Sequence, residues 1–112
     1  MIPRVKICCI SSLDEARLAI DAGASALGLV GQMPSGPGVI SDELIFSISA
    51  AAPPPIGTFL LTSETSATRI INHWNRCHTN TIQLVDAVRT DTYLALRKSL
   101  PGVKLVQVIH VQ

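Results

Sequence analysis

The apolar positions of the chain gather into short β-branched or leucine-rich runs, separated by segments that carry a single apolar stripe. The first run, Val5-Lys6-Ile7-Cys8-Cys9-Ile10, is closed by the polar pair Ser11-Ser12, which predicts a strand over 5–10. Ser12 followed by Glu15 has capping-box spacing, Asp14 adds a second acid to the first turn, and Leu13, Ala16 and Ile20 share one face until Gly23. That pattern predicts a helix. Ala26-Leu27-Gly28-Leu29-Val30 is a second strand-like run, and the Gly- and Pro-rich stretch from Gly31 to Gly38 predicts a loop. Ser41 opens a second helix, with Asp42 and Glu43 near its positive end, and Pro53-Pro54-Pro55 ends it.

The cycle then repeats. Ile56 to Leu61 reads as strand three, Ser66 to Arg76 as an amphipathic helix and Thr81 to Val85 as strand four. Asp91 to Leu100 reads as a helix with Arg97 and Lys98 in its last turn, and Lys104 to Val111 as strand five. Strand starts recur every roughly 20–30 residues, the size of one strand-plus-helix unit. Consecutive strands joined through helices run parallel, so the fold class is α/β. Both an open doubly wound sheet and a closed (β/α)8 TIM barrel use such units. Ser11-Ser12 follows strand one where a dinucleotide-binding sheet would carry glycines, which favours the barrel. At 112 residues the chain is about half as long as an eight-stranded barrel. The expectation is a single partial barrel domain over 1–112, truncated to about five strands and four helices.

Composition narrows the function. The chain is 47% hydrophobic, mostly Ala, Val, Ile and Leu, and only 4% aromatic, which suits strands buried on both faces. A net charge of +1 lacks the basic footprint of a nucleic-acid binder. No apolar run reaches the roughly 18–20 residues that span a bilayer, and the first ten residues do not read as a signal peptide, so no membrane partner and a cytoplasmic location are expected. Three cysteines, two of them adjacent, suit reduced thiols better than a disulfide framework.

Three places carry candidate chemistry. Gly31 and Gly36 have P-loop spacing, but Pro37 stands where the lysine belongs and has no backbone N–H for a phosphate. The loop still follows the carboxyl end of a strand, where parallel α/β proteins bind ligands, and reads equally well as a plain connection. His73 and Cys77 share a helix face, with His78 beside them, and imidazole with thiolate suits zinc. That helix offers no further ligand, so the favoured reading is a polar face with a small buried cysteine, solvated Arg69 and Arg76, and Trp74 in packing. Cys8 lies near the end of strand one, where a barrel collects its chemistry, as a base, a nucleophile or an inert thiol. Alternation places Lys6 and Cys8 on one face and Cys9 on the other, packed toward the helices.

Val5-Lys6-Ile7-Cys8, with Ile10-Ser11-Ser12-Leu13-Asp14-Glu15-Ala16, Ala22-Gly23-Ala24 and Ala26-Leu27-Gly28-Leu29-Val30, resembles the opening of the phosphoribosylanthranilate isomerase family. That family begins Lys-Ile-Cys-Gly and continues through a helix to a Gly-Ala-Asp-Ala-Leu-Gly-Phe-Val-Phe strand. Gln83-Leu84 sits where the family has Gln-Leu-His-Gly, and Val103 to Val111 resembles its fifth strand. The resemblance implies a (β/α)8 barrel, of which this chain carries the amino-terminal half. It also implies an Amadori rearrangement of N-(5-phosphoribosyl)anthranilate in tryptophan biosynthesis, without metal or organic cofactor. Cys8 matches the base that takes the proton from sugar C2. The aspartic acid that protonates the ring oxygen belongs to the sixth strand, and the main phosphate loops belong to the seventh and eighth.

By the same resemblance the substrate-binding positions are Ser35, Gly36, Gln83, Val85 and Asp86. Several residues depart from the family. Cys9 replaces the glycine after the catalytic cysteine, and Pro37 replaces the arginine that contacts the anthranilate portion. Val85 and Asp86 replace the His-Gly of strand four, and Gln107 stands where many members carry lysine. The expected function is an isomerase-like protein, inactive as this chain alone, that takes a small phosphorylated substrate. The alternatives are a diverged barrel paralogue acting on another phosphorylated or carboxylated ligand, and a non-catalytic half-barrel. Unpaired sheet edges predict a homo-oligomer or pairing with a complementary half-barrel.

Overall fold

A computed structural model describes residues 3–111. The elements alternate strictly: β1 (Lys6–Ile7), α1 (Leu13–Asp21), β2 (Ala26–Val30), α2 (Asp42–Ala51), β3 (Gly57–Thr62), α3 (Ala67–Cys77), β4 (Thr81–Leu84), α4 (Thr90–Ser99) and β5 (Lys104–Gln107). All neighbouring strands pair in parallel, in the order β1-β2-β3-β4-β5. This order resolves what the periodicity left open. A doubly wound sheet reverses its order at a switch point, whereas right-handed crossovers between sequential strands place every helix on one face, as in a TIM barrel. The sheet is an unclosed arc of such a barrel, with β1 and β5 at its edges.

The two faces differ accordingly. The core lies between sheet and helices, where Leu27, Leu29, Leu60, Ile82 and Leu84 meet Ile45, Ile48, Ile70 and Leu96, all at most 1% exposed. Each such side chain stabilises the fold by roughly 1.5–3 kcal/mol through burial. The opposite, inner face follows the registers Lys6↔Ala26↔Gly57, Gly28↔Phe59↔Thr81 and Val30↔Leu61↔Gln83↔Val106. Lys6, Ala26, Phe59, Leu61 and Gln83 on this face are only half-buried.

Ser12 and Ser41 cap their helices as the sequence predicts, and Ser66 caps α3 in the same way: each accepts from the backbone N–H three residues on. The capping box of α1 is shifted by one residue, since the Glu15 carboxylate accepts from the N–H and hydroxyl of Ser11 rather than from Ser12. Three strands are shorter than predicted, β4 by the one residue Val85. β5 ends at Gln107, and β1 ends at Ile7 because Cys9 turns into the left-handed region at φ 59°.

Candidate active site

Cys8 follows β1 at the carboxyl end of the sheet. The turn at Cys9 brings Ile10 back so that its N–H donates to the Gly28 carbonyl at 3.3 Å. The Cys8 thiol rests on Gly28, where a Cβ would lie 2.9 Å from Sγ and 3.1 Å from Cys8 Cα. Glycine at 28 is therefore a steric requirement of the thiol above it. Cys8 is exposed at the inner face, as alternation from Lys6 predicts.

Lys6 spans that face. Its Nζ lies 4.6 Å above the Phe59 ring and donates to Gln83 Oε1. The structure thus gathers Cys8, Lys6 and Gln83 on one surface. Lys6 is a member that sequence reasoning noted only for its side of the strand.

Cys9 corrects the sequence reading. It is exposed rather than packed under the helices. Its Sγ is 3.8 Å from the Pro37 carbonyl, and a Cβ at Gly38 would lie 2.9 Å from that sulphur. A side chain at 9 therefore braces the loop after β2. The positive φ at this position is one that glycine adopts without strain. Ser35 and Gly36 lie exposed in the same loop, with Gly36 at φ 122° and Gly38 at φ 84°.

Val85 follows β4, with its N–H donating to Thr62 O at 3.1 Å and its carbonyl 3.1 Å from His110 Nε2. Asp86 is exposed beside it. Gln107 lies in register with Leu84 on the helix-facing side. Its amide donates to the carbonyls of Leu84, Asp86 and Val108 and its oxygen accepts from Tyr93, so it shapes the β4–α4 connection. Cys8 lines neither of two clefts in the molecule. One, at the amino end of the sheet, is lined by Lys6, Phe59 and Lys104; the other lies between the loops after β2 and β3.

A second cluster joins α2 to α3. His73, 3% exposed, has Nδ1 2.9 Å from Thr62 Oγ1 and Nε2 2.9 Å from Asp42 Oδ1. Cys77 Sγ lies 3.6 Å from the same Asp42 oxygen, while Arg76 Nε donates to Oδ2 at 2.7 Å. Burial pulls the Asp42 pKa upward, but the hydrogen bonds and charges of Arg76 and His73 prevail and hold it below the usual carboxylate value. Burial first, and then the Asp42 charge and hydrogen bond, push the Cys77 thiol up to about 12. Cys77 is buried and Arg76 exposed as the sequence suggests, although Arg76 is also ion-paired, whereas His73 is buried rather than on a solvated face. His78 stays outside the cluster: it caps α3 at φ 54° and stacks on Trp74 with centroids 4.7 Å apart. Sequence reasoning missed Asp42, whose only visible signal was as a first-turn acid of α2.

No protein-family model matches the chain. It is 30% identical over 109 residues to N-(5'-phosphoribosyl)anthranilate isomerase 2 of Methanosarcina mazei, covering 96% of this chain and 48% of that protein. It is 34% identical over 100 residues to the isomerase of Prosthecochloris aestuarii, covering 89% and 44%. Among solved structures, the Pyrococcus furiosus isomerase superposes with a TM-score of 0.87 at 25% identity, covering 99% of this chain and 53% of that one. An isomerase in complex with reduced 1-(o-carboxyphenylamino)-1-deoxyribulose 5-phosphate superposes at 0.83 and 25%, covering 99% and 55%. The chain spans about half the length of these relatives. Matches that run through nearly all of its residues, on the sequential parallel sheet described above, make this chain a member of the phosphoribosylanthranilate isomerase family.

Proposed function

We propose that residues 1–112 form one partial barrel that supplies the base-carrying half of a phosphoribosylanthranilate isomerase site. The observation that carries this reading is the Cys8 thiol, exposed at the carboxyl end of β1 and seated on Gly28. The family resemblance assigns this position the base. As thiolate, Cys8 takes the proton from sugar C2 while an acid protonates the ring oxygen and the C–O bond opens. An enol forms and tautomerises to the ketone of the product. The acid comes from a sixth strand and the phosphate contacts from the seventh and eighth, all beyond these five strands.

The remaining site residues are Gln83, held by Lys6, and Ser35, Gly36, Val85 and Asp86 around the mouth. The substrate is a small phosphorylated one, and the reading requires no cofactor. Pro37 and Val85, in place of arginine and histidine, remove contacts that each contribute roughly 1.5–3 kcal/mol when charge-assisted. The open inner face and the edges at β1 and β5 support a second property, association with a further copy or a complementary half-barrel. A genetic test uses a bacterial tryptophan auxotroph that lacks its own isomerase. The chain joined to the carboxyl-terminal half of the Methanosarcina mazei isomerase restores growth, and Cys8→Ala in that fusion does not. Growth restored equally by both fusions would overturn the assignment.

A further inference from the structure

We propose that Asp42, His73 and Cys77 form a binding site for one thiophilic divalent transition metal of the zinc class. The site lies between α2 and α3, behind β3, and is separate from the isomerase mouth. Its ligand atoms, Asp42 Oδ1, His73 Nε2 and Cys77 Sγ, all lie within 4.8 Å of one another.

The geometry is close to what such an ion needs. Tetrahedral zinc, with bonds of about 2.0–2.3 Å, separates its sulphur and oxygen ligands by about 3.6 Å and its nitrogen and oxygen ligands by about 3.4 Å. The sulphur–oxygen distance here is already 3.6 Å, and the nitrogen–oxygen distance is 2.9 Å. The nitrogen–oxygen edge must open by about half an ångström, and the sulphur–nitrogen edge, now within 4.8 Å, must stand at about 3.6 Å.

The surroundings also suit a metal. A ligating imidazole ordinarily donates its other N–H to an oxygen, and Thr62 Oγ1 stands 2.9 Å from His73 Nδ1 to accept it. Arg76 engages Oδ2 of Asp42, which leaves Oδ1 for single-oxygen ligation. One carboxylate and one thiolate match the two charges of a divalent ion; since Asp42 is already ionised and one proton leaves, binding adds a single positive charge to the cluster. On binding, the Cys77 S–H bond breaks, a sulphur–metal bond forms and one proton leaves to solvent. The metal takes Nε2, so the ring proton that faces Asp42 Oδ1 there moves to Nδ1, where Thr62 Oγ1 accepts it. Three protein ligands leave a fourth position for water on the side of Asp42, whose side chain is 19% exposed.

The test uses the chain with Cys8→Ser and Cys9→Ser, so that Cys77 is its only thiol, titrated with cobalt(II) and then zinc(II). The expected result is one cobalt per chain with a thiolate-to-metal charge-transfer band, bleached by zinc, and release of one proton. Cys77→Ser abolishes the band, and Asp42→Asn weakens binding at least about tenfold. Zinc also raises the melting temperature of the parent but not of Cys77→Ser. A folded parent chain that shows no charge-transfer band in excess cobalt, or a band unchanged by Cys77→Ser, would overturn the proposal. Neither readout involves isomerase activity, so this outcome is independent of the role of Cys8.

Discussion

Replacing Cys9 by alanine and by glycine measures the strain that ends β1. At φ 59° an L-residue pays for the contact of its Cβ with the following carbonyl, roughly 1–2 kcal/mol. Glycine escapes that cost but gives back roughly 0.5–1 kcal/mol in chain entropy. Both variants lose the same thiol contact to Pro37 O, which at 3.8 Å is weak. Their difference therefore isolates the Cβ, and glycine should be the more stable by about 0.5–1 kcal/mol. With a urea slope of about 2 kcal/mol/M, this moves the midpoint by about 0.3–0.5 M. Urea titrations of both variants at one protein concentration, followed by circular dichroism, read it directly. Equal midpoints, or a more stable alanine variant, would refute the argument that the backbone conformation at this position favours glycine.

Brief alkylation of the native chain followed by peptide mapping should label Cys8 and Cys9 and spare Cys77, which is buried and whose thiol is pushed up to about 12; early labelling of Cys77 contradicts the packing of α3. Sedimentation at micromolar concentration should show association, because among the described residues β1 and β5 each pair with a strand on one side only; a single monomeric species would contradict this. The depressed Asp42 pKa makes its ion pairs a stabilising contribution that is present above the unfolded carboxyl pKa and lost as pH falls through the lower folded value. In chelator-treated protein, Asp42→Asn should therefore be less stable than the parent near neutrality and lose less stability on acidification. Parallel stability curves would contradict it.

Much of this fold is legible along the chain because its signals are local. The Ser12, Ser41 and Ser66 caps and the Pro53-Pro54-Pro55 stop depend only on neighbours, and they place three helices to within a residue or two. Cys8 is legible for the same reason, since alternation from Lys6 carries it to the inner face. Cys9 is not, because alternation ends where the backbone turns, and a cysteine carries none of the warning that a glycine gives. Strand order and the Asp42 cluster depend on contacts between distant segments. Asp42 stands 31 residues before His73, and only the packing of α2 on α3 brings them to 2.9 Å. Gln107 shows the converse, a position matched by motif alone whose side chain faces the helices.

The role proposed for Cys8 is that of general base in an isomerase site completed by three further strands. The direct measurement is the fluorescence decay of phosphoribosylanthranilate with the purified 112-residue chain and with its fusion to the Methanosarcina mazei carboxyl-terminal half. The chain alone should leave the decay at its uncatalysed rate, and the fusion should accelerate it. Cys8→Ala should lower kcat of the fusion by roughly 10²–10⁴-fold while Cys9→Ala retains most of it. A fusion that folds cooperatively yet shows no turnover, or one whose kcat is insensitive to Cys8→Ala, would contradict the account.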